Sequence, residues 1–250
     1  MNVIAVKNDT ELSEIASKMI SEKVKTKSAT ILGLATGGTP EKTYDLLIRD
    51  HQINATSYQN VRTVNLDEYI GLASDHPQSY HYYMIHKLFQ YLDLKMENTH
   101  IPNGMASDLQ EECKRYDGLI ESLNYPDLQI LGIGSNGHIG FNEPGTPFSQ
   151  KTYVTKLTES TRKANARFFH HQKDVPTHAI TMGISSILKS KEILLLASGE
   201  SKAKAIKELL SGEITENFPA SALKLHKHVT VIADELALKE VSTDMESFKI

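Results

Sequence analysis

Asn136, His138 and Glu143 set an amide, an imidazole and a carboxylate within eight residues of one another, in the stretch Leu131-Gly-Ile-Gly-Ser-Asn-Gly-His-Ile-Gly-Phe-Asn-Glu-Pro-Gly145. An imidazole changes charge near neutral pH, and a carboxylate can orient it and stabilise its charged form, so these types are the parts of an acid–base relay. Gly132, Gly134, Gly137 and Gly140 let the backbone bend tightly and come close to a ligand. A separation of five positions puts His138 and Glu143 on one face of no regular element. They meet only if the loop folds back, and a structural histidine beside a loop acid satisfies the same pattern.

Two other stretches carry chemistry. Thr36-Gly-Gly-Thr-Pro40 is a glycine turn between an apolar run and a helical pattern, where free N–H groups of Gly37 and Gly38 and the hydroxyls of Thr36 and Thr39 could gather on a phosphate. An ordinary strand-to-helix turn fits the same residues. Asp67 and Glu68 follow a third apolar run, and adjacent side chains of an extended segment face opposite ways, so only one of them can look into a given site. A carboxylate at a strand end can act as a base or simply cap a helix.

Several chemistries fail on context. Gly132-x-Gly134-x-x-Gly137 has the dinucleotide spacing, but no helix opens after it. The Thr36 turn lacks the Gly-Lys-Ser/Thr of a nucleotide loop. Asp67, Glu68, His138 and Glu143 lack the spacing of a metal motif, and none is expected to hold a metal. His170-His171 and His226-x-His228 read as surface residues without partners.

The elements that must position these residues alternate. Strands are expected at Val3–Val6, Ala29–Ala35, Val61–Leu66, Leu128–Ile133, Tyr153–Leu157, His178–Met182, Glu192–Ala197 and Val229–Ala233. Helices are expected after Asn8-Asp9-Thr10, over Glu41–Ile48, after Pro77, over Asp108–Leu123 and Glu159–Phe169, and after Gly183 and Gly199. Such alternation predicts one α/β domain with a largely parallel sheet over residues 1–241, followed by a polar tail at 242–250. In these sheets ligands bind beyond the carboxyl ends of the strands, where the three chemical stretches fall.

The chain has 250 residues, 40% of them hydrophobic, and a formal charge of −4, so it has material for a core and no basic footprint for nucleic acid. The single Cys113 excludes an internal disulfide and fits a reducing compartment; its charged helical setting makes it incidental. No signal peptide and no membrane-crossing run is visible, which predicts a cytoplasmic protein.

Together the motifs resemble a known family. Thr36-Gly-Gly-Thr-Pro, Leu66-Asp-Glu-Tyr-Ile-Gly-Leu72, Gly132-Ile-Gly-Ser-Asn-Gly-His-Ile-Gly-Phe-Asn-Glu-Pro144, Thr161-Arg-Lys-Ala-Asn-Ala-Arg-Phe-Phe169 and Gly199-Glu-Ser-Lys-Ala203 occur in this order in glucosamine-6-phosphate deaminases. The resemblance covers about residues 3 to 240. It implies a Rossmann-like sheet flanked by helices on both faces, and conversion of glucosamine 6-phosphate and water to fructose 6-phosphate and ammonia, with no organic cofactor. By the same resemblance Asp67 is the base that moves a proton from C2 to C1, His138 assists ring opening, and Glu143 is its carboxylate partner. Thr36, Gly37, Gly38 and Thr39 match the phosphate turn, with Arg167 and Lys202 its cationic contacts. Asn136 stands where many members have Asp; an amide can hold His138 but supplies no charge.

In allosteric members basic residues precede the Thr161 motif, and here Gln150-Lys-Thr-Tyr-Val-Thr-Lys-Leu157 aligns poorly with them, which predicts an unregulated enzyme. Gly145–Ser149 with the helix bearing Arg167 is the expected lid. A 6-phosphogluconolactonase-type hydrolase, expected to diverge after the Gly-His core, and a non-catalytic sugar-phosphate sensor are the rival readings. Oligomeric state is left open.

Overall fold

The computed structural model describes residues 1–169 and 171–241; the expected tail at 242–250 and His170 lie outside them. β1 (Asn2–Val6) leads into α1 (Asp9–Thr26), β2 (Ile31–Leu34) into α2 (Glu41–Asn54), and β3 (Arg62–Asn65) into the short β4 (Asp67–Tyr69) and α3 (Tyr80–Lys87). β5 (Thr99–His100), α4 (Leu109–Ser122), β6 (Leu128–Gly132), β7 (Tyr153–Lys156) and α5 (Glu159–Asn165) follow. β8 (His178–Thr181), α6 (Ile184–Ile187), β9 (Ile193–Ala197), α7 (Ala203–Ser211) and β10 (Val229–Asp234) come last.

Local chemistry sets the helix starts. Asn8 caps α1, its side chain accepting from the N–H groups of Thr10 and Glu11, and Asp108 caps α4 in the same way. Ser79 caps α3 and Thr158 caps α5. Asp108 thus stands just before its helix rather than inside it. α2 runs to Asn54, beyond the expected end at Ile48, and the helix expected over Glu159–Phe169 tightens into a 3₁₀ turn at Ala166–Phe168.

Seven strands form one parallel sheet in the order β1-β10-β9-β6-β2-β3-β5. Its central strands are apolar on both faces; every residue of β2 and β9 is buried, as a strand sandwiched between helices requires. From β2 the chain steps outward through β3 to β5, then returns to β6 on the other side of β2 and continues through β9 and β10. The reversal between β2 and β6 is a topological switch point, which opens a crevice at the strands' carboxyl ends.

The remaining strands depart from expectation. β4, β8 and β7 form a separate antiparallel sheet, with Asp67 opposite Thr181 and Tyr153 opposite Thr181 on the other side. Apolar patterning marks a strand but not its partner, so these segments were indistinguishable from strands of the main sheet. The chain changes sheets at one residue: Leu66 N–H donates to Leu34 O at 3.1 Å, and Leu66 O accepts from Met182 N–H at 2.7 Å. β5 has only two residues and carried no pattern.

Two buried tyrosines pin the strand ends that face the crevice. Tyr44 donates to Ala35 O at 2.6 Å and Tyr116 to Asn65 O at 2.7 Å, so each ring fills core while its hydroxyl holds backbone beside the crevice. Cys113 is buried in α4, where burial and the carboxylates of Asp117 and Glu112 push its thiol up to about 11, as an incidental cysteine should be. His226 is not partnerless: its Nε2 lies 2.8 Å from Ser190 O. Among the described residues no helix is long and apolar enough to cross a membrane.

Candidate active site

A cavity of about 770 Å³ lies beyond the carboxyl ends of β2, β3, β6 and β9. Thr36, Gly37, Gly38 and Thr39 reach it from the turn after β2, and Asp67 from the junction of β3 and β4. Asn136 and His138 come from the glycine bend after β6, Arg167 from the end of α5, and Lys202 from the turn after β9. Nine of the ten residues expected from sequence line it, and the tenth, Glu143, sits directly behind.

The glycine turn after β2 is held from below by Tyr83, whose hydroxyl donates to Gly37 O at 2.7 Å; Gly37 has φ 87°, a left-handed value that a side chain would oppose. Arg167 lies over the same turn: a Cβ on Gly38 would be 3.6 Å from Arg167 Nη2. Lys202 arrives from a turn fixed by Asp234, which accepts from Gly199 N–H and from the Ser198 hydroxyl. Burial and the positive charge of Arg167 hold the Lys202 ammonium below its ordinary pKa. Two like charges converging on a ring of backbone and hydroxyl donors are relieved by a dianion placed between them.

Asp67 and Glu68 do face opposite ways. Glu68 turns toward α3 and accepts from the N–H groups of Tyr69 at 2.8 Å, Tyr80 at 2.9 Å and His81 at 2.9 Å, so it is the second cap of that helix. Asp67 turns into the cavity, is 6% exposed, and has its carboxyl pushed up to about 8, by burial first and then by the Glu68 carboxylate. The bend after β6 packs against it: a Cβ on Gly140 would lie 3.5 Å from Asp67 Oδ2 and 3.1 Å from Thr181 Oγ1. Asn142 pins that bend to the second sheet by donating to Met182 O at 2.9 Å, and Phe141 N–H donates to Thr181 Oγ1 at 3.1 Å.

Asn136 stands between His138 and Glu143. His138 Nδ1 is 2.7 Å from Asn136 Oδ1, and Asn136 Nδ2 donates to Glu143 Oε2 at 2.7 Å; the direct His138–Glu143 separation is 3.7 Å. An ionised carboxylate only accepts, so Glu143 orients the amide with its NH₂ outward and its oxygen toward the imidazole. That network assigns the proton of neutral His138 to Nδ1 and leaves Nε2 basic. Burial lowers the imidazole's pKa, Glu143 raises it and Lys202 lowers it; burial prevails, which favours the neutral ring.

The ring rests directly on Gly134, where a Cβ would come within 2.3 Å of His138 Cε1 and Nδ1. Gly134→Ala is therefore expected to push the imidazole out of line with Asn136. Turnover should fall by about 10²-fold, as for a misplaced catalytic group, while the far-ultraviolet circular dichroism stays native.

Tyr80, Phe141, Thr161 and Asn165 also line the cavity, and none was read from sequence as a site residue. Tyr80 and Phe141 stack with ring centres 6.2 Å apart and 14° between planes, giving the cavity an apolar wall. Gly145–Ser149, expected to close with α5, is tied elsewhere: Gly145 N–H donates to Glu216 O at 2.8 Å and Phe148 N–H to Glu216 Oε1 at 3.1 Å. Among the described residues no three His, Cys, Asp or Glu side chains are grouped so as to hold a metal ion.

Residues 8–232 match the family described as glucosamine-6-phosphate isomerases/6-phosphogluconolactonase. Glucosamine-6-phosphate deaminase 1 of Bacillus subtilis is 56% identical over 237 residues, covering 95% of this chain and 98% of that protein. Glucosamine-6-phosphate deaminase of Halalkalibacterium halodurans is 53% identical over 242 residues, covering 97% of this chain and 98% of the relative. A solved structure described as a monomeric glucosamine-6-phosphate deaminase superposes with a TM-score of 0.95 at 55% identity, over 96% of this chain and 100% of the other. The 6-phosphogluconolactonase of Trypanosoma cruzi superposes at 0.79 with 19% identity, over 96% of this chain and 97% of the other, a likeness of fold alone.

Proposed function

The chain belongs to the glucosamine-6-phosphate isomerase/6-phosphogluconolactonase family, and from that premise we propose that it is a glucosamine-6-phosphate deaminase, releasing ammonia and fructose 6-phosphate. The observation that carries this reading is the convergence of the buried Asp67 carboxyl and the His138 imidazole on one cavity that also holds the glycine turn, Arg167 and Lys202. The relatives near 55% identity are deaminases, whereas the lactonases near 19% share the fold.

The residues divide the reaction among them. Thr36, Gly37, Gly38 and Thr39 donate to the phosphate, with Arg167 as a fork and Lys202 as a point charge. His138 Nε2, bare in the assigned tautomer, takes the anomeric hydroxyl proton and returns it to the ring oxygen, which opens the pyranose. Asn136 keeps Nδ1 protonated, and Glu143 stabilises the imidazolium that forms in between, as carboxylates do in other relays.

Asp67 then removes the C2 proton to give an enolamine and delivers it to C1, leaving an imine at C2. Water adds there and ammonia departs, so the sum consumes one water and needs no oxidant. A carboxylate held near 8 is a stronger base than an ordinary aspartate, which suits a carbon acid. The substrate's ammonium group at C2 lies next to the proton removed, and its charge draws Asp67 into the ionised form on binding.

A reducing setting suits the lone thiol, and we place the protein in the cytoplasm. The alignment before Thr161 supports an enzyme without allosteric control by N-acetylglucosamine 6-phosphate. The deciding assay is purified protein with glucosamine 6-phosphate in chelated buffer. Ammonia and fructose 6-phosphate in equal amounts are expected; hydrolysis of 6-phosphogluconolactone in their place would overturn the reading.

A further inference from the structure

The two oxygens of Glu143 serve different neighbours. Oε2 accepts from Asn136 and belongs to the His138 relay. Oε1 accepts from two hydroxyls at the start of α5: Thr158 Oγ1 at 3.0 Å, and Thr161 Oγ1 at closer range. Thr158 is also the N-cap of that helix, its Oγ1 accepting from Thr161 N–H at 3.2 Å. At its other end α5 passes into the 3₁₀ turn that carries Arg167 over the glycine turn. One short segment therefore touches the carboxylate of the relay at its start and the phosphate turn at its end.

α5 has 7 residues, too few to hold a helix by its own hydrogen bonds, so contacts with the rest of the protein set where it sits. Those contacts include the Thr158 and Thr161 hydroxyls on Glu143, Arg162 Nη2 donating to Val175 O at 3.0 Å, Asn165 Nδ2 donating to the Tyr69 hydroxyl at 2.9 Å, and Arg167 above the turn. Glu143 is buried at 8% exposure, and the donors named on it are all neutral, so its carboxylate points where those donors stand. A shift of α5 moves two of the three.

We propose that Thr158 and Thr161 are positioning residues that couple phosphate seating on Arg167 to the alignment of His138, through Glu143 and Asn136. Neither threonine touches the reacting atoms in this scheme. The coupling rests on the reading of the Thr36–Thr39 turn as a phosphate site, and it makes the relay most competent when a phosphate is bound. A sugar lacking the phosphate would lose turnover as well as affinity.

The test is a cycle of Thr161→Val, Arg167→Gln and the double variant, with Thr161→Ser as the conservative control, read by ammonia release from glucosamine 6-phosphate. Thr161→Val should lower kcat about tenfold with KM within about twofold of native, because an interaction that orients the relay and not one that binds substrate has gone. Thr161→Ser should return kcat to within about threefold of native. The two losses in kcat/KM should combine to less than their product, since removing Arg167 already uncouples α5. Native kcat in Thr161→Val, or losses that simply multiply, would overturn the proposal.

Hydrogen exchange with inorganic phosphate as the probe separates this failure from failure of the deaminase reading. Phosphate should slow exchange in α5 and in residues 136–143 together in the native protein, and in α5 alone in Thr161→Val. A native protein whose 136–143 segment ignores phosphate while α5 responds refutes the coupling, even if the valine variant does not fold. Absence of ammonia from the native protein refutes the reaction instead.

Discussion

Asp67→Asn should lower ammonia release by about 10²–10⁴-fold and, at the same time, make the protein more stable. The first effect follows from removing the carboxylate proposed as the base. The second follows from burial, which pushes the carboxyl up to about 8 from the ordinary 3.8. Between those values the unfolded chain has released a proton that the folded chain retains. Stability therefore falls as pH rises from about 4 to about 8, and is level beyond.

At about 1.4 kcal/mol per pH unit, keeping Asp67 protonated where the unfolded chain has released its proton costs the fold up to ~4 kcal/mol at pH 7, and an isosteric amide removes most of that. Urea titrations at pH 4 and pH 7 check this: the variant should gain ~2–4 kcal/mol at pH 7 and nothing at pH 4. For the native enzyme, kcat/KM should rise with pH toward a plateau above about 8, the free-enzyme pKa of the base. An inactive variant with unchanged stability at both pH values would mean that Asp67 is hydrated in a way the packing of Gly140 and Thr181 does not suggest.

The second large effect is expected at His138. His138→Gln keeps an amide within reach of Asn136 but has no nitrogen able to take and return a proton. Turnover of the cyclic sugar should drop about 10²–10⁴-fold. Binding of the open-chain amino-alditol phosphate should stay within about twofold of native, because that ligand has no ring to open. Isothermal titration with the alditol beside the ammonia assay separates the two. Equal losses in both would show His138 to be a binding residue and not the ring-opening group.

Much of this arrangement was legible in the chain, for reasons that differ residue by residue. The Thr36–Thr39 turn and the strands before it are local features, and local features are what glycine, proline and apolar period report. Asp67 was placed correctly at a strand end, and the alternation of faces separated it from Glu68, although which of the two looked inward needed the packing of α3. The second sheet was not legible, because nothing in Val61–Tyr69 marks Leu66 as the residue where pairing switches from Leu34 to Met182.

The relay shows the same limit. The glycines announced that the bend after β6 could fold back, and the structure shows how: Asn142 ties it to Met182, the residue after β8, and Gly134 makes room for the imidazole. That Asn136 would come between His138 and Glu143 depended on a loop geometry that spacing does not encode. Thr158 and Thr161 meet Glu143 across fifteen and eighteen residues, a distance at which sequence carries no contact signal.

The edge of the main sheet has a consequence for how the protein is made. β1 pairs with β10 and so depends on the strand nearest the other end of the described chain, Val3 lying beside Val231. On a ribosome adding about 5–20 residues per second, some ~220 residues, or ~11–45 s, separate the emergence of the two partners. Throughout that interval Val3 and Val6, with the stripe Leu12, Ala16, Ile20 and Val24 of α1, have no finished sheet to pack on. β1 and the apolar face of α1 are thus sheltered only once β10 has been made, so this surface stays exposed through most of the synthesis of the sheet.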